Sequence, residues 1–120
     1  MPKTQFKIWG RELALDLVYD CYQGESITAS QKEAYNCFCQ HLDLLDSCKA
    51  KVEEYCKKDH PDIDTENIFR FVMPQAIFIQ RADNHVVGIM CAYKFDIEHG
   101  LAIVFRNETF DQIGPQDLIL

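Results

Sequence analysis

Asp96, Glu98 and His99 are the residues of this sequence most suited to chemistry, because two carboxylates beside an imidazole can act as general acid and base. They fall between two predicted strands, and Gly100 follows them. A turn favours the same residue types for structural reasons, since polar side chains bond freed backbone groups and glycine tolerates positive φ. No nucleophile, glycine-rich phosphate loop or second histidine stands at a diagnostic spacing. The pattern therefore favours a structural or partner-binding role, and no catalytic residue is predicted.

A second acidic group lies near the middle of the chain, at Asp59, Asp62, Asp64 and Glu66. Carboxylates at such spacings could hold a hard cation such as Ca²⁺. An EF-hand loop also needs a central glycine, which this segment lacks, and Pro61 stiffens the backbone. The sequence therefore predicts a helix cap and a solvated acidic turn, with no metal site.

Six cysteines occur, at positions 21, 37, 39, 48, 56 and 91. Cys37, Cys39 and His41 have the residue types of a zinc site. On a helix, however, residues two apart point about 200° away from one another, so these three side chains cannot converge on one ion. No pair has the Cys-x-x-Cys spacing, and no apolar export signal is present at the N-terminus. We therefore expect reduced thiols, packed as small apolar groups, in a cytoplasmic protein.

The balance of charge is acidic, with 19 Asp and Glu residues against 12 Lys and Arg, a net charge of −7 and a pI near 4.9. Phosphate backbones and anionic membrane surfaces repel such a chain, so neither nucleic acid nor a membrane is a predicted partner. No apolar run approaches the roughly 18 residues that a membrane span needs. The same charge favours binding to a basic protein.

The elements that would position these residues begin with a predicted hairpin. Alternating apolar residues from Phe6 to Tyr22 predict strands that turn at Trp9–Glu12, and the pattern breaks at Gln23–Ser26. Trp9 and Tyr22 could be exposed aromatic anchors for a partner. A single tryptophan in a small domain is more often part of the core, so this is the role expected for Trp9.

A helical region follows the hairpin. Thr28 or Ser30 can cap its first helix, with Gln31 or Glu33 three residues further on as the capping-box partner. The apolar residues of this region change from one helical face to another midway along its length. The pattern therefore predicts two helices, or one bent helix, from about residue 30 to residue 58.

The last part of the chain predicts a short helix and then β structure. Thr65 can cap a third helix through Phe71, which must stop before Pro74 because proline removes a backbone donor. Turns are predicted at Ala82–Asn84 and Asn107–Glu108. The four strands predicted around these turns are residues 76–80, 86–95, 101–106 and 109–113.

Together these elements predict one α+β domain over residues 1–120. Its antiparallel sheet would combine an N-terminal hairpin with a C-terminal β-meander, and two or three helices would cover one face. An apolar content of 48% is ordinary for a globular domain of this length.

Several short motifs give the sequence a resemblance to a known family. They are Trp9-Gly10, Ser30-Gln31 with an Ala34–Phe38 stripe, the run Asp96–Phe105 with the pattern D-x-E-H-G-L-x-x-V-F, and Ile113-Gly114-x-x-Asp117. With these motifs the chain resembles, over nearly its whole length, a family of small bacterial domains of unknown function. Some similar proteins look like immunity proteins of polymorphic or contact-dependent toxin systems. The resemblance implies a fold and a bacterial origin, and it supplies no catalytic residues.

The residues and the resemblance together predict a non-catalytic binding protein, namely an immunity protein that neutralises a cognate toxin by direct contact. The toxin is expected to be basic, as nucleases often are, and no cofactor or metal is expected. The candidate contact residues are the acids of both segments and the adjacent histidine: Asp59, Asp62, Asp64, Glu66, Asp96, Glu98 and His99. Two alternatives stay open, a small enzyme or metal-dependent protein that uses Asp96, Glu98 and His99, and an interaction module without a toxin partner.

Overall fold

The computed structural model describes residues 3–20, 26–81 and 85–119, apart from the side chain of Asp59. Within these ranges, six strands form one sheet and three helices pack against one of its faces. The strands are β1 (Lys3–Ile8), β2 (Arg11–Tyr19), β3 (Val72–Ile79), β4 (Val86–Tyr93), β5 (Leu101–Arg106) and β6 (Thr109–Gly114). The helices are α1 (Ala29–Cys39), α2 (Asp43–Ser47) and α3 (Lys49–Asp59), and two short 3-10 helices span Ile68–Arg70 and Gln116–Leu118. Among the described helices, none is both long and apolar enough to cross a membrane.

The strands lie in the sheet in their order along the chain, from β1 to β6. Neighbouring strands are antiparallel except β2 and β3, which run parallel from the pair Asp16–Ala76 to the pair Tyr19–Ile79. Parallel strands cannot be joined by a tight turn, so the helical region serves as the crossover between them. The predicted α+β class, with its hairpin, β-meander and helical cover, is confirmed. The parallel pair unites the two antiparallel parts in one sheet.

The first hairpin turns through two residues, Trp9 and Gly10, whose φ angles are 51° and 84°. Positive φ at both central residues is the geometry of the two-residue turns that match the twist of the strands. The turn is therefore shorter than the predicted Trp9–Glu12. The indole of Trp9 folds back onto the helical layer, where its Nε1–H donates to the Leu45 carbonyl at 2.8 Å. Trp9 is half-buried and packs against the core, as expected.

Helix α1 begins with a capping box and is fixed to the sheet by one buried glutamine. The Thr28 hydroxyl accepts the Gln31 N–H, and the Gln31 side-chain oxygen accepts the Thr28 N–H, both at 3.0 Å. The amide nitrogen of Gln31 donates to the carbonyls of Asp20 at 2.7 Å and Ile79 at 3.2 Å. Gln31 is fully buried, so these bonds satisfy a polar group that would otherwise be costly to bury. It joins α1 to the ends of both parallel strands.

The predicted helical region is divided into three short helices. A phase slip at residues 40–42 separates α1 from α2, as the change of apolar stripe predicted, and Cys48 separates α2 from α3. Each helix contributes a buried apolar residue to the core between the helices and the sheet: Phe38, Leu45 and Val52. The Phe38 ring lies 5.3 Å from the ring of Phe105 on β5.

The predicted third helix over Thr65–Phe71 is wrong, because only Ile68–Arg70 is helical and its type is 3-10. Strand β3 then begins at Val72 and runs through Pro74, which the sequence placed outside the sheet. Pro74 is tolerated there because the pairing with β4 shifts register between Pro74 and Ala76, and the pairing with β2 starts only at Ala76. The missing N–H thus interrupts no ladder between β2 and β3. The predictions at Cys21–Glu25 and Ala82–Asn84 lie outside the described residues.

The other face of the sheet is covered in part by the end of the chain. Ile119 packs with Val86, Met90 and Val104 in a small second core on that face. Gly88 on β4 lets Ile119 approach, since a Cβ built at Gly88 would lie 2.5 Å from the Ile119 Cδ1 atom. This glycine is required by a close approach and not by its backbone angles.

Candidate functional site

The two acidic segments lie side by side at one end of the sheet. The ring of His60, at the start of the first segment, stacks on Phe95, which precedes the second, with centroids 3.8 Å apart and planes 19° from parallel. Phe95 also stacks on Phe71 at 5.4 Å and meets Tyr93 edge-on at 5.6 Å. This row of rings holds together two loops that are distant in the sequence. We call this surface the acidic end: Asp62, Asp64, Glu66 and the turn Asp96–His99.

The turn Asp96–His99 is shaped by its own side chains. The Asp96 carboxylate accepts the backbone N–H of His99 at 3.1 Å, and its oxygens lie 3.1 Å from the His99 Nδ1 atom. The His99 N–H, and then the His99 ring, hold the pKa of Asp96 below its usual range. Gly100 closes the turn with a φ of 63°, and a Cβ there would lie 2.9 Å from the Cys91 carbonyl oxygen. Asp96 and His99 therefore come together, while Glu98 is exposed beside them.

The first acidic segment is also a folded loop. The Asp64 carboxylate accepts the Glu66 N–H at 2.9 Å, and the buried hydroxyl of Thr65 donates to Glu53 on α3 at 2.7 Å. Asp62, Asp64 and Glu66 are exposed. The side chain of Asp59 lies outside the described residues. The acids of this loop are thus presented to solvent on a fixed backbone.

An apolar side chain stands within the acidic end. Ile97 is 89% exposed, far more than the other large exposed apolar side chains of the described residues, Ile27 and Leu118. Beside Ile97 is a hollow of about 240 Å³ whose walls include Phe69 and Phe71. The cations of Arg70 and Lys94 lie 5.9 Å and 5.6 Å from the centroid of Phe71. The acidic end therefore offers an exposed isoleucine beside an aromatic hollow whose charged lining residues are Arg70 and Lys94.

A groove between α3 and β6 is a second concave surface, with a volume of about 890 Å³. Tyr55, Phe110 and Ile113 line its apolar part. Its charged residues have both signs: Lys51, Glu53, Glu54, Lys57 and Lys58. Three of these five charged residues are lysines, so the groove has no excess of acids that would select a basic partner.

A third arrangement joins residues that the sequence analysis did not connect. Cys37 of α1, His85 before β4 and Glu108 in the β5–β6 turn place one donor atom each within 4.8 Å of one another. The His85 Nδ1 atom lies 3.1 Å from a Glu108 carboxylate oxygen, and these side chains are 19% and 22% exposed. The three residues are far apart in sequence and follow no motif spacing. The only sequence signal was the turn prediction at Asn107–Glu108, which gave no indication of a site.

Four thiols of the described residues have raised pKa values. All five described cysteines are free, and Cys37 and Cys39 are half-buried. Burial raises the pKa of Cys48 to about 12 and also raises the pKa values of Cys56 and Cys91. Partial burial, and then the Glu108 carboxylate, raise the pKa of Cys37. A cysteine nucleophile needs the opposite shift, so Cys37, Cys48, Cys56 and Cys91 do not have the character of nucleophiles.

Comparison with known proteins gives one match. The family model described as a domain of unknown function, DUF6985, matches residues 2–120. No curated protein matches the chain. No solved structure matches it either.

Proposed function

The chain belongs to the DUF6985 family, whose function is unknown, and we propose that it is a non-catalytic binding protein. Its target would be a cognate protein toxin with a basic surface, which the acidic end covers and so neutralises. In this role the chain is an immunity protein that acts in the cytoplasm of a bacterium. It would bind neither nucleic acid nor a membrane surface.

The observation that supports this proposal best is the meeting of the two acidic segments through the His60–Phe95 stack. Each segment alone is a short charged loop, and such loops are common on protein surfaces. Held together, the two loops present exposed acids and the exposed side chain of Ile97 at the same end of the sheet. An apolar anchor with charged residues nearby is a common composition of a protein-binding surface.

The net charge of the chain indicates the kind of partner that it would bind. With a net charge of −7, the chain repels acidic macromolecules at a distance and attracts basic ones. Complementary charge speeds the association of two proteins and selects against wrong partners. Toxins that cleave nucleic acids carry basic surfaces, so an acidic inhibitor can associate rapidly with them and compete with their substrate.

The alternative of chemistry at Asp96, Glu98 and His99 has weaker support. Asp96 uses its carboxylate to accept the His99 backbone N–H, which is the bond expected of a turn residue. His99 and Glu98 are exposed, and catalytic acid–base groups are typically placed in a cleft that excludes water. The turn is better suited to presenting side chains to a partner.

The proposal is tested with the toxin that a tagged chain captures from its source bacterium. The association rate constant is then measured at low and high salt for the native chain and for a variant in which four acids of the acidic end are neutralised. This variant carries Asp62→Asn, Asp64→Asn, Glu66→Gln and Glu98→Gln, which keep the size and the hydrogen bonds of the side chains. We expect association at low salt to slow about tenfold and its salt dependence to flatten.

The matched control removes four other exposed acids, all on the helices, through Glu33→Gln, Asp43→Asn, Asp46→Asn and Glu54→Gln. This control should leave the association rate close to that of the native chain. If both variants slow association equally, net charge and not the acidic end steers binding. If neither variant has an effect, or if the captured toxin domain is acidic, the proposal is wrong. Co-expression gives a second readout, because the native chain should protect cells from the toxin and Ile97→Asp should protect them less.

A further inference from the structure

The cluster of Cys37, His85 and Glu108 lies at the end of the sheet opposite the acidic end. Along β4 and β5, Val86 pairs with Arg106 at the cluster's end and Cys91 pairs with Leu101 at the other. Among the described residues, no other set of three His, Cys, Asp or Glu side chains brings its donor atoms within 4.8 Å. The cluster is therefore separate from the surface proposed to bind a toxin, and its role needs its own explanation.

The donor types of the cluster are those of a zinc site: a thiol, an imidazole and a carboxylate. Bonds of about 2.0–2.3 Å place neighbouring ligand atoms of a tetrahedral zinc ion about 3.3–3.6 Å apart. The 3.1 Å between the His85 Nδ1 and Glu108 Oε1 atoms is close to this spacing. Small rotations of side chains would bring all three donors to a common ion, since they already lie within 4.8 Å of one another.

The backbone holds two of the donors in place at some cost. His85 and Glu108 have φ angles of 49° and 58°, in the left-handed region that disfavours side chains other than glycine. Asn107 shares this conformation at 51°, and its N–H donates to the His85 carbonyl at 3.2 Å. A two-residue turn of this kind favours glycine as its second residue, where this chain has Glu108. Strained backbone that directs polar side chains to one point is typical of functional sites.

From the three donors and their convergence, we propose that Cys37, His85 and Glu108 bind a divalent transition-metal ion of the Zn²⁺ type. Three protein ligands leave a fourth tetrahedral position for water or an outside ligand. The partial burial of all three donors lets an ion enter from solvent while shielding it from full hydration. Thiolate and imidazole ligands favour Zn²⁺ over Mg²⁺ or Ca²⁺, which prefer oxygen ligands alone.

Cobalt absorption tests this site directly. The full chain is freed of metal with EDTA and titrated with Co²⁺, whose visible bands report tetrahedral coordination and whose near-ultraviolet band reports a thiolate ligand. We expect both signals to saturate at one ion per chain and to disappear when Zn²⁺ is added. Cys37→Ser should abolish the thiolate band, and His85→Gln or Glu108→Gln should weaken Zn²⁺ binding by at least about tenfold.

Cys39→Ser is the matched control, because Cys39 is on the same helix, two residues away and also half-buried. It should keep both signals and the native Zn²⁺ affinity. The site is overturned if the native chain gives no thiolate band, if Cys37→Ser keeps that band, or if Cys39→Ser loses it equally. Thermal unfolding with and without Zn²⁺ shows whether each variant is folded. Zn²⁺ should raise the unfolding temperature of the native chain and of Cys39→Ser, but not of Cys37→Ser.

Discussion

At the scale of single residues, Glu108 combines an unfavourable backbone conformation with a side-chain contact to His85. Its φ of 58° costs a non-glycine residue about 1 kcal/mol or more, yet its carboxylate reaches His85. Glu108→Gln keeps the strain and removes the charge, whereas Glu108→Gly removes both. In the presence of EDTA, we therefore expect Glu108→Gly to have a free energy of unfolding about 1 kcal/mol higher than Glu108→Gln.

Denaturant unfolding of the two variants measures this difference. Asn107→Gly is a useful comparison, since asparagine already tolerates the left-handed region and should gain less from the change. If Glu108→Gln is as stable as Glu108→Gly, the backbone of this turn is not strained by its side chain.

Asp96 gives a prediction about pH at the same scale. Because the folded chain holds the pKa of Asp96 below its usual 3.8, the ionised carboxylate stabilises the fold. This contribution is present above about pH 4 and is lost as the pH falls towards the lowered pKa of the folded state. Asp96→Asn keeps a side-chain oxygen for the His99 N–H and does not titrate. The stability of the native chain relative to Asp96→Asn should therefore fall as the pH is lowered from 5 to about 2.5.

Urea unfolding of both proteins across this pH range is the measurement. Asp43→Asn, at an exposed position on α2, controls for the general loss of negative charge. A difference between the native chain and Asp96→Asn that stays constant over the whole range would contradict the assigned pKa shift.

At the scale of elements, the contact between Gly88 of β4 and Ile119 fixes how closely the end of the chain approaches the sheet. A Cβ at Gly88 would lie 2.5 Å from the Cδ1 atom of Ile119, so Gly88→Ala must displace that side chain. Overpacking of this kind typically costs about 1–3 kcal/mol. Ile119→Val removes the δ-methyl group that would collide. We therefore expect Gly88→Ala to destabilise the native chain clearly and the Ile119→Val variant much less.

A double-mutant cycle on these positions, with denaturant unfolding as the readout, measures their coupling. Additive effects of Gly88→Ala and Ile119→Val would show that the cost of Gly88→Ala does not come from a collision with the δ-methyl group of Ile119.

The elements also show which parts of the fold were predictable. The hairpins and α1 carry local signals, such as Trp9-Gly10 at a turn and Thr28 with Gln31 at a cap, so the sequence located them. The parallel pairing of β2 with β3 joins residues that are distant in sequence, and β3 continues through Pro74 only because of its register shift. Neither feature has a local signal, since both depend on what neighbouring strands do.

The same distinction applies to the sites. Each acidic segment could be recognised from its composition, whereas their meeting depends on the stack of His60 on Phe95. Cys37 was considered only with its helical neighbours Cys39 and His41. Its actual neighbours, His85 and Glu108, come from two turns that only the completed sheet brings together.

At the scale of the whole molecule, the acidic end and the Cys37–His85–Glu108 cluster lie at opposite ends of β4 and β5. The two proposals can therefore be tested separately. Neutralising the acidic end should leave the Co²⁺ spectrum unchanged, and Cys37→Ser should leave toxin association near its native rate. A variant set in which both properties were lost together would point to a change in the sheet that connects the two ends.

The buried Gln31 amide has a consequence for how the chain folds. Neighbouring strands of the sheet are joined by short connections, except for β2 and β3. This parallel pair closes a long loop, in which Asp16 pairs with Ala76. Closing a long loop costs conformational entropy, and this cost arises before the strand contacts that compensate for it have formed. Gln31 bonds the carbonyls of Asp20 and Ile79, at the ends of these two strands. One side chain from the long connection therefore bonds to the ends of both β2 and β3, and it can stabilise the pairing of these two strands once they meet.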